Sequence, residues 1–185
     1  MIGSHRFHTN HEYKFDLNRD GFADFTIDWK RHSSFFFESL WAVGQKSGNS
    51  IMGTRHSSYA LLLKAGTRIG PKDFFKGSGL MVQLRGGGYK SNYSSGLGYL
   101  QNCYLGLKFL IKGKTHYGWA RLNIKAQKTG ITALLTGYAY ETVPNKPIIA
   151  GKTHGEDVIT VQPASLGYLA RGASAIPAWR VKEGK

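Results

Sequence analysis

The chain has 185 residues and a mass of 20.5 kDa, enough for one domain with a sizeable core. Its 41% hydrophobic and 13% aromatic content excludes a wholly disordered chain, and its single cysteine, Cys103, excludes an intramolecular disulfide framework and a multi-cysteine zinc site. The formal net charge is +14, and no apolar stretch approaches the ~20 residues of a membrane-spanning helix.

That charge is unevenly placed. Residues 1–40 hold five basic and six acidic side chains, whereas residues 41–140 hold fourteen basic side chains and one acid, Asp73. A basic field of this kind attracts anionic polymers: nucleic acid, acidic polysaccharide or a lipid surface. It also serves solubility alone, and both readings stand at this point.

In chain order, residues 1–12 read as a mobile segment. No apolar run of the secretory type opens them, so the chain is either cytoplasmic or begins upstream of this start. Residues 13–151 read as the folded domain. From Ala23, apolar Ala23, Phe25, Ile27 and Trp29 alternate with Asp24, Thr26, Asp28 and Lys30, the period of a half-buried strand. Short apolar runs at 33–38, 39–43 and 58–64 predict further strands, although residues 59–63 alone also suit a turn of helix. Residues 76–101 are rich in Gly and Ser, with Gly86-Gly87-Gly88 at the centre, and predict a long loop or irregular edge.

A hairpin is the clearest signal. In residues 104–111, Leu105, Leu107, Phe109 and Ile111 share one face, and Lys112-Gly113-Lys114 forms a short polar link. Residues 115–124 then place Gly118, Ala120, Leu122 and Ile124 on one face, with Tyr117, Trp119 and Arg121 on the other. Residues 131–141 predict another strand before Pro144 and Pro147. The expected fold is all-β: an antiparallel, jelly-roll-like sandwich with a short C-terminal tail, 152–185, that has room for a helix.

The segment Asp16-Leu17-Asn18-Arg19-Asp20-Gly21-Phe22-Ala23-Asp24 places side-chain oxygens at positions 1, 3, 5 and 9. Gly21 sits at position 6, and the Phe22 carbonyl is available at 7. Calcium takes 6–8 oxygen ligands, and this spacing folds Asp16, Asn18, Asp20, Phe22 and Asp24 around one point. Position 12 is Ile27 rather than Glu, so the loop is not an EF-hand. Its other reading is an Asx-turn closed by its own side chains, without metal. A bound calcium here would be structural, pinning the turn.

Tyr117, Trp119, Tyr138 and Tyr140 are the candidate ligand-binding aromatics, since rings on strands stack on sugars when exposed and fill cores when not. No catalytic residues are assigned. The seven histidines lack H-x-x-x-H spacing, Gly86–Ser91 lacks phosphate-loop spacing, and no G-x-S-x-G elbow occurs. A carboxylate pair for glycoside hydrolysis would have to draw on Asp28, Glu38, Asp73 or Glu141. His116 reads as packed or partly exposed within the hairpin and Cys103 as a small buried hydrophobe.

The blocks Tyr104-Leu105-Gly106-Leu107-Lys108-Phe109, Thr115-His116-Tyr117-Gly118-Trp119-Ala120-Arg121, Gly137-Tyr138-Ala139-Tyr140-Glu141-Thr142 and Pro147-Ile148-Ile149-Ala150-Gly151 resemble a family of secreted bacterial PEP-CTERM-associated proteins. The loop Asp16 to Phe25 matches the same pattern. The resemblance implies an exported, non-catalytic β-sandwich of a polysaccharide-producing Gram-negative lineage, ending in a sorting tail. In this chain Gln162-Pro163-Ala164 replaces Pro-Glu-Pro, and the 14 residues 166–179 are shorter than the ~17–25 of a span, so the tail reads as a degenerate signal or short surface helix rather than an anchor. The expected function is structural or adhesive at the cell surface. The alternatives are a calcium-dependent glycan- or exopolysaccharide-binding module and a basic nucleic-acid binder.

Overall fold

The structure, a computed structural model, describes residues 11–32, 37–85, 88–91, 99–127, 130–152 and 158–161. Over these residues the chain is all-β, two sheets packed face to face with a smaller third layer.

The first sheet has the order β1 (His11–Phe15), β2 (Phe25–His32), β3 (Phe37–Gly44), β8 (Ser78–Arg85), β9 (Gly88–Ser91), all neighbours antiparallel. The second is built on the long strands β10 (Tyr99–Ile111), β11 (Lys114–Gln127) and β12 (Gly130–Glu141). Strand β14 (Val158–Val161) extends it beside β12. On its other side β4 (Ser50–Met52) and β5 (Leu62–Leu63) pair with β10, and β7 (Phe75–Lys76) forms the edge beyond β4. Strands β6 (Arg68–Ile69) and β13 (Ile148–Ile149) pair with each other.

The alternation read from the sequence decides what faces inward. Phe25, Ile27 and Trp29 of β2 and Leu40 and Ala42 of β3 meet Leu105, Leu107, Phe109, Ala120, Leu122 and Ile124 in one core between the sheets. Burying each such side chain stabilises the fold by about 1.5–3 kcal/mol, which is how the core outweighs backbone ordering. The hairpin link is tighter than expected. Ile111 pairs with Lys114, and only Lys112 and Gly113 turn, at φ 49° and 75°. Two positive φ values in a two-residue loop make the mirror-image turn whose twist suits a hairpin, and Gly113 carries it without strain.

One expectation is corrected, and both ends of the described chain add strands. Residues 76–101 are not mainly loop: β7, β8, β9 and the start of β10 lie within them, while 92–98 fall outside the described residues. Gly-rich text hid β8 because Gly79 is there for close approach; a Cβ on it would lie 2.7–2.9 Å from Ala60. At the C-terminus, Val158–Val161 is a strand paired with Tyr138–Glu141, so pairing continues past residue 151. The sorting-tail residues 162–185 lie outside the described residues. At the N-terminus, β1 begins at His11, inside the segment expected to be mobile; residues 1–10 are outside the described residues.

Candidate functional site: the acidic loop, the aromatics and the basic edge

The loop between β1 and β2 is closed by its own carboxylates. Arg19 N and Gly21 N donate to Asp16 at 2.6 and 2.8 Å, Asp20 N donates to Asn18 Oδ1 at 3.2 Å, and Phe22 N donates to Asp20 Oδ1 at 2.9 Å. Arg19 and Gly21 take φ of 59° and 88°, which sharpens the turn. The Phe22 amide holds the Asp20 carboxyl below its ordinary range, with Lys46 and Asn18 adding to the pull.

Asp24 has a different role. Its side chain is fully buried, accepting from Leu17 N at 2.9 Å and from Asn49 Nδ2 at 3.3 Å. Asn49 also donates to the Asp24 carbonyl at 3.0 Å and accepts from Leu110 N at 3.3 Å, tying the loop to β10 of the opposite sheet. Desolvation raises the Asp24 carboxyl above its ordinary range against these bonds. Lys46 supplies the counter-charge, its Nζ 3.2 Å from Asp20 and 3.6 Å from Asp24. It also lies 5.4 Å from the ring centre of exposed Phe22.

Tested against calcium, the donor set fits in kind, since carboxylate, amide and carbonyl oxygens are what the ion takes. Asp16, Asn18 and Asp20 lie on the accessible rim with lone pairs to spare. Asp24 does not share that rim, because its oxygens are committed to the fold and to Lys46. Among the described residues, no group of three His, Cys, Asp or Glu is arranged to hold a metal ion.

The four candidate aromatics do not make a platform. Trp119 is 1% exposed, Tyr117 and Tyr140 are buried, and Tyr138 is half-buried. Tyr138 and Tyr140 point between the sheets: Tyr140 meets Phe109 edge-on at 5.4 Å, and Tyr138 packs 6.0 Å from Phe15. Tyr117 and Trp119 point to the opposite face of the second sheet, which would be open in a simple two-layer sandwich. Here a second apolar cluster covers it: Met52, Leu63, Ile69, Ile148 and Ala150 close over Tyr104, Tyr117 and Trp119. Trp119 meets Tyr104 edge-on at 5.3 Å. The sugar-stacking expectation is therefore withdrawn for Tyr117, Trp119 and Tyr140, because no ring face among them is available.

Of the two readings of His116, packed or partly exposed, the structure shows the first: it is buried, with Nδ1 2.9 Å from the Glu141 carbonyl. Cys103 is buried, and desolvation pushes its thiol up to about 11. Glu38 and Glu141 are both buried in structural roles. Glu38 accepts from Ile131 N at 2.8 Å and Trp29 Nε1 at 3.3 Å; Glu141 accepts from Val143 N at 3.1 Å. Asp73 caps Gly70 N at 2.7 Å.

The basic side chains of 41–140 divide by environment. Lys46 is paired, as above, whereas Arg55, Lys64, Lys72, Lys112, Lys114 and Lys125 are exposed, and none has a carboxylate in ion-pair contact among the described residues. Arg85, Lys90 and Lys128 carry no described side chains. Two residues missed in the sequence organise part of this surface. Phe74 carries the Arg55 guanidinium 5.0 Å and the Lys76 ammonium 6.0 Å from its ring centre, and Phe75 carries Lys108 at 5.3 Å. The signal was present as Phe74-Phe75-Lys76, but only the structure places it at a sheet edge. No family model matches the chain, and neither a curated protein nor a solved structure does.

Proposed function

We propose that the chain is a non-catalytic, exported or cell-surface β-sandwich, structural or adhesive in role, that holds an acidic polymer, exopolysaccharide foremost, through the basic surface of residues 41–140. The observation that carries this is the pairing of charge: Arg55, Lys64, Lys72, Lys112, Lys114 and Lys125 are exposed without a carboxylate in ion-pair contact among the described residues, so their field is available to an outside anion. Export comes from the family resemblance. The test is a salt titration of binding to heparin, polygalacturonate, DNA and RNA in parallel. Retention on both acidic polysaccharides at low salt, lost as salt rises, is expected, because counterion release rewards charge of any chemistry. No retention on any polyanion at low salt would defeat the reading, and a preference for one nucleic acid that survives physiological salt would replace it with the nucleic-acid alternative.

In the same reading the loop from Asp16 to Asp24 is a structural calcium turn held by Asp16, Asn18, Asp20 and the Phe22 carbonyl, with Lys46 the internal competitor for its charge. Millimolar calcium is then expected to raise the melting temperature and a chelator to reverse it, by about 2.7 kcal/mol at one hundred times the dissociation constant. Lys46→Met should strengthen the calcium response. Identical melting curves with calcium and chelator, in both proteins, would leave the loop as a self-closed Asx-turn with a lysine counter-ion.

A further inference from the structure

The edge of the second sheet at β7 combines features found together nowhere else on the described surface. β7 is the terminal strand of its path, paired to β4 through Ile51–Lys76 and Met52–Phe75. Its neighbouring side chains alternate, so Phe74 and Lys76 share one face and Phe75 takes the other. On the first face Arg55 and Lys76 both lie over the half-buried Phe74. On the second, Lys108 lies over the half-buried Phe75, whose ring packs 5.7 Å from that of Tyr117. Three cations therefore straddle one short edge, and none is ion-paired to a carboxylate among the described residues.

The cations are also held in place. Gly53 N donates to the Phe74 carbonyl at 3.0 Å, and Gly53 bridges to Ala60, closing the turn that presents Arg55. Within that turn Thr54 and Ser57 share a hydroxyl hydrogen bond, and the Lys76 ammonium donates to the Ser57 carbonyl. Gly53 makes room for the Lys76 stem, since a Cβ there would fall 2.6 Å from Lys76 Cε. Guanidinium and ammonium groups already ordered against rings lose less side-chain freedom on binding than free surface lysines do. A planar guanidinium also presents paired donors that match a carboxylate or sulfate.

Resting on the polyanion reading above, we infer that this edge, Arg55, Lys76 and Lys108 around Phe74 and Phe75, is the anchoring site for an acidic polysaccharide, binding its carboxylate or sulfate groups. A nucleic acid is the poorer fit. Single-strand recognition needs aromatic faces on which bases stack, yet both rings already carry cations and Tyr117 is buried. Reading a duplex needs an element that enters a groove, and β7 is two residues long.

The experiment compares two pairs of cations in the full-length chain. Arg55→Gln with Lys76→Gln removes one face of the edge; Lys112→Gln with Lys114→Gln removes the same charge from the exposed hairpin tip. Both pairs are titrated with heparin, polygalacturonate and a single-stranded DNA across a salt series, with melting temperatures to establish folding. The expected result is that the edge pair lowers the salt slope on both polysaccharides by about two and weakens binding about tenfold at about 50 mM salt. The hairpin pair should change binding less than about threefold. Arg55→Lys should keep the slope but lose affinity, because charge remains while the planar donor pair is gone. If the edge double variant is unfolded, the single variants Arg55→Gln and Lys108→Gln carry the comparison, each expected to lower the slope by about one. Equal weakening by the edge and hairpin variants overturns the edge site and leaves the general polyanion reading standing. Absence of polysaccharide binding by the unaltered chain overturns both. An edge-dependent affinity for DNA that exceeds that for either polysaccharide overturns the choice of partner.

Discussion

Lys14, Lys30, Arg31 and Lys46, on the first sheet and the turns that serve it, each reach a carboxylate at 3.1–3.7 Å: Glu12, Asp28, Glu38 and Asp20. On the second sheet and the layer covering it, Arg55, Lys76 and Lys108 instead lie against aromatic rings, and Lys112, Lys114 and Lys125 face solvent. The two halves differ in packing as well. The first sheet buries one face against the shared core and turns Asp28, Lys30 and the half-buried Trp41 outward. The second buries both faces over much of its length, against that core and against its own covering cluster. This half holds an ion pair as well, Lys146 to Glu141 at 3.4 Å, where the chain leaves β12. The exposed Lys14–Glu12 pair contributes only about 0–1 kcal/mol.

The contrast is most exposed at two tryptophans. Trp119 fills the second sheet's covered face, and its Nε1 is buried without a partner. Trp119→Ala should cost about 3–5 kcal/mol in denaturant unfolding. Loss below about 1 kcal/mol would show that the covering layer contributes little and that the second sheet is one-sided like the first. Trp29, by contrast, donates its Nε1 to Glu38, and Glu38 also receives the Ile131 amide of β12. This carboxylate is the polar tie between the halves. Glu38→Ala should cost about 2–3 kcal/mol by leaving buried donors unanswered, and Glu38→Gln should cost less because an acceptor remains. Equal effects from the two would reduce Glu38 to its packing. Gly130 is matched to the same carboxylate: at φ 133°, a Cβ would sit 3.0 Å from Glu38 Oε2.

The smallest expected effect sharpens the comparison through pH. The Cys103 thiol lies in the shared core, raised from 9.0 to about 11 by burial. The folded state therefore keeps its proton where the unfolded chain releases it. Its stabilising contribution is fully present below pH about 9 and declines as pH rises toward about 11, by about 2 kcal/mol. Desolvation raises the Tyr117, Tyr138 and Tyr140 phenols as well, so alkaline loss of stability has the same sign at each. Denaturant midpoints of the unaltered chain and Cys103→Val at pH 8 and pH 10.5 check this; an equal decline in both proteins would assign the alkaline loss to the tyrosines alone.

How much was legible beforehand varied with the kind of information required. The alternation in 25–29, 105–111 and 118–124 specified strands and their inward faces, because a pleated strand has a period of two and a half-buried one declares it. The hairpin was legible from its glycine. The site was not. Trp119 and Tyr117 alternate correctly, yet alternation names two faces without saying whether the outer one meets water, and here segments both earlier and later in the chain, around Met52 to Ile69 and Ile148 to Ala150, cover it. Strand β8 was obscured because Gly79 reports a close approach to Ala60, a contact across nineteen residues that composition renders as loop.

By itself, then, the sequence determined an all-β chain, its hairpin, the positions of the core side chains, the self-closing oxygens of the 16–24 turn and the concentration of positive charge after residue 40. All of these are local, set by side-chain period, turn chemistry and count. The tertiary structure alone decided which aromatics are covered, that Asp24 and Glu38 are buried and hydrogen-bonded to distant segments, and that Arg55, Lys76 and Lys108 gather at β7. Those outcomes depend on which distant segments pack together, and pairing between sheets follows from the burial of the whole core, which no local pattern encodes.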